Sequence, residues 1–120
     1  MGERVSVRFV LSEPVWGFST EPSPWLYGHW DGPDLVRMAS EFTEELGTEC
    51  DADTPRADPS TAMIGFIQSL GRQTGGASYR LYSGCPYAGD WGDWEVDLLT
   101  DRVRPFGTEE WTDRLPDWTD

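Results

Sequence analysis

The pattern that most constrains this chain is a change of period. Apolar residues alternate early and late in the sequence, and between those stretches they recur twice at helical spacing. Asp31-Gly32-Pro33-Asp34 supplies an acidic or small cap, a proline in the first turn and an acid near the positive helix end. Leu35, Met38, Phe42 and Leu46 follow at helical spacing with Ala39 beside them, and Gly47 offers a stop. This predicts a helix over 33–46. Asp58-Pro59 repeats the device. Met63, Phe66, Ile67 and Leu70 then form an apolar stripe and Gly71 closes it, which predicts a second helix over 59–70.

The flanking segments read as strands. Val5, Val7, Phe9 and Leu11 alternate with Arg4, Ser6, Arg8 and Val10, the pattern of a half-buried strand. Trp25 to Trp30 forms a second strand, with Trp25, Tyr27 and His29 on one side and Leu26, Gly28 and Trp30 on the other. Tyr79–Ser83 forms a third. In a fourth, Trp94, Val96 and Leu98 alternate with Glu95 and Asp97. Thr100-Asp101-Arg102 reads as a hairpin turn into Val103–Phe106, a short strand whose Pro105 suits a sheet edge. Residues 15–18 are too short to assign. The expected fold is α+β: a mainly antiparallel sheet of four to five strands with two helices on one face. One domain over 1–106 and an acidic, Trp-containing tail over 107–120 complete the organisation.

Charge limits the partners. The chain carries 22 Asp and Glu against nine basic residues, all of them Arg, for a net charge of −13. That balance repels nucleic acid and anionic membranes, so neither is expected as a direct partner. No apolar run is long enough to cross a bilayer. The start of the chain runs straight into a strand pattern without a visible export signal, so a cytoplasmic location is expected. Two cysteines, Cys50 and Cys85, then read as free thiols, with a disulfide between them as the alternative.

The acids concentrate in two places. Glu41, Glu44, Glu45, Glu49, Asp51, Asp53 and Asp58 face Arg56 alone, and Glu109, Glu110, Asp113, Asp117 and Asp120 face Arg114 alone. A compact domain of this length spans about 35 Å, over which duplex DNA carries about 20 charges. Gathered on one side, the acids approach that density. An acidic face formed by Glu41, Glu44, Glu45, Glu49, Asp51 and Asp53 is therefore a candidate partner surface. Trp111 and Trp118 are interleaved with the tail acids Glu109 and Glu110, and they either dock on the domain or anchor a partner.

Motifs for chemistry are sparse. His29, the single histidine, lies beside Trp30 and Asp31, so it reads as a base held by Asp31, as a pocket wall or as a locally bonded side chain. In a pocket, Trp25, Tyr27, His29 and Trp30 would stack on a base, and Arg80 or Arg72 would hold phosphate. A Cys85–His29–Asp31 nucleophilic set is conceivable, although Ser83-Gly84-Cys85-Pro86 is not a helix start that would lower a thiol pKa. His29, Cys50 and Cys85 lack the paired spacing of a zinc site, and Asp51/Asp53 and Asp90/Asp93 lack a calcium-loop pattern. Gly71-Arg-Gln-Thr-Gly-Gly76 lacks the residues of a phosphate-binding loop. The expectation is no cofactor, no metal and no catalysis.

Leu26-Tyr-Gly-His-Trp-Asp-Gly32, with Val96-Asp97 in a late strand, resembles small proteins of actinobacterial phages that carry a Leu-Tyr-x-His-Trp-x-Gly strand end followed by a helix. The resemblance loosely covers residues 5–100. It implies a viral origin and, for small acidic phage proteins, inhibition of host defence or of host DNA enzymes, of the anti-CRISPR or DNA-mimic kind. It assigns no residue a role. The expected function is thus a non-enzymatic inhibitor that binds a basic surface of a host nucleic-acid-handling protein. The alternatives are a small-ligand binder sequestering a nucleotide signal, a Cys/His hydrolase and a virion component.

Overall fold

A computed structural model describes residues 3–48, 58–74 and 79–112. Seven elements follow in the order β1 (Val5–Val10), β2 (Trp25–Gly28), α1 (Pro33–Thr48), α2 (Pro59–Thr74), β3 (Tyr79–Tyr82), β4 (Asp93–Asp97) and β5 (Val103–Pro105). The fold is α+β. Its five-stranded sheet runs β3-β2-β1-β4-β5, antiparallel except for the central pair β1 and β4. That parallel pair lies between strands far apart in sequence, because both helices and β3 intervene.

The cap signals act where the sequence places them. Asp31 and Gly32 carbonyls accept the amides of Asp34 and Leu35 at 3.3 Å each, and the Asp58 carbonyl accepts Ala62 N–H at 2.9 Å. Both helices outrun their predicted stops, α1 through Gly47 and α2 through Gly71. Gly71 does not take the positive φ of a glycine helix stop. A glycine permits a break without forcing one.

Alternation decides the core. Val5, Val7 and Phe9 are fully buried in one cluster with Leu26, Trp94, Val96 and Val103 from the neighbouring strands. Leu35, Val36 and Ala39 of α1 and Ala62, Met63, Phe66 and Leu70 of α2 complete it. The stripe of α1 is rotated from the expected one. Val36 and Thr43 are buried, while Met38, Phe42 and Leu46 pack at its margin. Thr43 tolerates burial because its hydroxyl donates to the Ser40 carbonyl at 2.7 Å.

Candidate functional site

The residues between the core positions face the other side of the sheet, and there the sequence has charge. Register brings Arg8, Glu95 and Arg104 into one row across β1, β4 and β5. The Glu95 Oε2 accepts Arg8 Nε and Nη2 at 2.9 and 2.6 Å, and its Oε1 accepts Arg104 Nε at 2.8 Å. Arg8 stacks over the rings of Trp25 and Phe106 at 4.6 and 5.2 Å, and Arg104 over Trp111 at 4.1 Å. A carboxylate and an indole thus hold each guanidinium between them.

This row settles the place of two expected site residues. Trp25 is 1% exposed beneath Arg8 and Phe106, so it is no pocket wall. Trp111 docks on the protein's own sheet, and the adjoining Thr112 bridges Val103 with an N–H···O=C bond of 2.9 Å. Trp118 lies outside the described residues. Glu109 and Glu110 are exposed.

The remaining pocket residues form an open array. The Tyr27 hydroxyl is 2.9 Å from His29 Nδ1, the His29 and Trp30 rings meet at 4.4 Å, and Tyr27 meets Tyr82 edge-on at 6.0 Å. Trp30 is half exposed, and exposed Arg80 pairs in register with Tyr27. Asp31 does not orient His29 Nδ1: that nitrogen faces Tyr27, while Asp31 accepts the Tyr79 hydroxyl. Cys85 carries a free thiol, pushed above its ordinary pKa by burial, with Asp93 adding to the shift and the Tyr87 backbone opposing it. Cys50 lies outside the described residues. No group of three or more His, Cys, Asp and Glu among the described residues is placed to hold a metal ion.

Acids gather at the far edge of α1. Glu41, Glu44 and Glu45 are all exposed, at the i, i+3 and i+4 positions that share a helix face. Glu49, Asp51 and Asp53 lie outside the described residues. The hairpin between β4 and β5 adds Asp101, fixed to the helix by the Ser40 hydroxyl donating to its carbonyl at 3.0 Å. Burial pushes the Asp101 carboxyl above the usual range. The negative charges of Glu44 and Asp97 add to that shift, and a hydrogen bond with Thr43 opposes it. Between helix and hairpin lies a cleft of about 340 Å³ lined by Arg37, Glu41, Glu44, Thr100, Asp101 and Arg102. Arg37 is already engaged by Asp34 at 2.5 Å. The Asp101 contribution depends on a hairpin meeting a helix some sixty residues earlier in the chain, and no local pattern signals that contact.

Comparison with known proteins returns no match to a family model, to a curated protein or to a solved structure. No helix among the described residues is long and apolar enough to cross a membrane.

Proposed function

We propose that this chain is a non-enzymatic binding protein of the phage-inhibitor kind, whose acidic edge occupies a basic, nucleic-acid-binding surface of a host protein. One observation carries the reading. Around α1 and the β4–β5 hairpin, Glu41, Glu44 and Asp101 line one cleft with Arg37 and Arg102, and exposed Asp34 and Glu45 lie on the same helix. Three arginines elsewhere are engaged by acids. Arg8 and Arg104 are spent on Glu95, and Arg4 on Asp90, whose carboxyl it holds below the usual range. The helix edge thus carries more acids than arginines, an excess that favours rapid encounter with a cationic surface.

A second reading, sequestration of a nucleotide, draws on the Tyr27–His29–Trp30 array with Arg80 nearby. It has lost Trp25 to the interior.

The test compares the protein with a Glu41→Gln/Glu44→Gln/Glu45→Gln variant, each immobilised and exposed to a lysate of an actinobacterial host. The three side chains are exposed, so the variant folds normally. Nucleic-acid-handling proteins are expected on the parent surface, released by added duplex DNA, and about tenfold depleted on the variant. Equal retention on both surfaces overturns the proposal. If Trp30→Ala alone abolishes activity, the nucleotide reading replaces it.

A further inference from the structure

We propose that Trp16 is the apolar anchor of this acidic surface, and that the segment it takes is an arginine-bearing stretch of a protein partner; the inference rests on the acidic-surface reading above. Trp16 is 96% exposed, against 77% for Tyr87 and 60% for Ile64. It is held at the tip of a formed turn. The Phe18 N–H donates to the Val15 carbonyl at 3.1 Å, and Gly17 adopts φ +90°, a conformation that favours glycine. A ring of this size in water is costly, and aromatic rings so placed are typical interface anchors.

The ring borders a cleft of about 520 Å³ lined also by Ser12, Glu13, Val15, Leu99 and Thr100. Its framework is set by Asp97, which is fully buried. One Asp97 oxygen accepts the Ser12 hydroxyl at 2.8 Å and the Thr100 hydroxyl at 2.6 Å; the other accepts the Ser12 amide at 3.0 Å. Both walls of the cleft are therefore pinned to one carboxylate, which lowers the ordering cost of binding. Thr100 also lines the acidic cleft beside Glu41, Glu44 and Asp101, so the two recesses adjoin at this residue.

The ligand class follows from the chemistry at that wall. Inside the fold, Arg8 lies over the Trp25 ring with Glu95 as its acid, and Arg104 lies over Trp111 with the same acid. Trp16 and Glu13 present the same two groups, an indole and a carboxylate, at the surface. A guanidinium satisfies both, because its plane stacks on the indole while its edge meets the acid. Lysine lacks the plane. The neighbouring acids supply complementary charge for further arginines along the segment.

The probe is a synthetic peptide of repeated Arg-Gly-Arg-Leu, with a Lys-for-Arg peptide as control, titrated into the full chain at low salt. Binding is read by calorimetry and by the indole N–H resonances. The arginine peptide is expected to shift the Trp16 indole resonance, assigned from its loss in Trp16→Phe. Trp16→Ala is expected to weaken binding by about tenfold or more with an unchanged melting temperature. The lysine peptide is expected to bind about threefold or more weakly. The proposal is overturned if the arginine peptide does not bind, or binds Trp16→Ala as tightly as the parent. If binding falls in the Gln triple variant but not in Trp16→Ala, the acidic surface stands and the anchor does not. If it falls in Trp16→Ala alone, the anchor stands and the acidic surface does not.

Discussion

Replacing Glu95 with Ala lowers the unfolding free energy by about 3 kcal/mol, measured by urea denaturation at neutral pH. The side chain is 5% exposed and is the shared acceptor of Arg8 and Arg104, which are themselves 19% and 24% exposed. Removing it leaves two guanidiniums close together, mostly out of water, without their counter-charge. Partial exposure of the arginines keeps the effect below that of a wholly buried triad. Glu95→Gln keeps the volume and one acceptor oxygen, and it falls between parent and Ala. Replacing the whole row by Arg8→Met, Glu95→Leu and Arg104→Met costs less than Glu95→Ala alone, because no charge is then stranded. A loss below about 1 kcal/mol for Glu95→Ala would mean that water reaches the row and screens it.

Phe9→Ala has an effect of similar or greater size, about 3–5 kcal/mol, through a different cause. Phe9 is fully buried, with its ring 5.6 Å from Phe66, edge-on, and 6.0 Å from Phe42; those two rings lie 5.5 Å apart. One side chain of the central strand thus meets both helices. Its removal opens a cavity that three elements border and that none can fill without leaving its own contacts. For a domain of this size the melting temperature falls by about 10 °C or more, seen by calorimetry or circular dichroism. Phe9→Leu, which keeps most of the volume, should lose less than half as much. Equal losses for Ala and Leu would show that ring geometry matters more than filled volume.

These two side chains mark what was legible in the sequence. Phe9 was, because strand alternation puts it with Val5 and Val7 and because apolar stripes at helical spacing have to cover that side. That Glu95 and Asp97 lie on the opposite face of the strand from Trp94 and Val96 was legible too, from their alternation, although both are buried there. Their partners were not. Arg8 reaches Glu95 only through the parallel register of strands whose paired residues lie 87 positions apart, and period-two patterning carries no register across such a separation. Trp25 shows the consequence. Beside Tyr27 and His29 it reads as a pocket wall, yet Arg8 from the next strand and Phe106 from the far end of the chain cover it. The acids of α1 were visible as a run, but the addition of Asp101 was not. Trp16 sat in a segment too short to assign, and its exposure is set by the four-residue turn Val15–Phe18, whose only local sign is Gly17.

Salt is the direct test of the proposed contact between the acidic edge of α1 and a cationic protein surface. With a partner purified after capture on the parent protein, the dissociation constant is measured between about 50 and 500 mM salt, a range over which the screening length shrinks to a few ångströms. The dissociation constant is expected to rise by about tenfold or more, mostly through slower association, and the Glu41→Gln/Glu44→Gln/Glu45→Gln variant to show a flatter dependence. An affinity that does not change across the range, with parent and variant indistinguishable, would contradict the proposed contact.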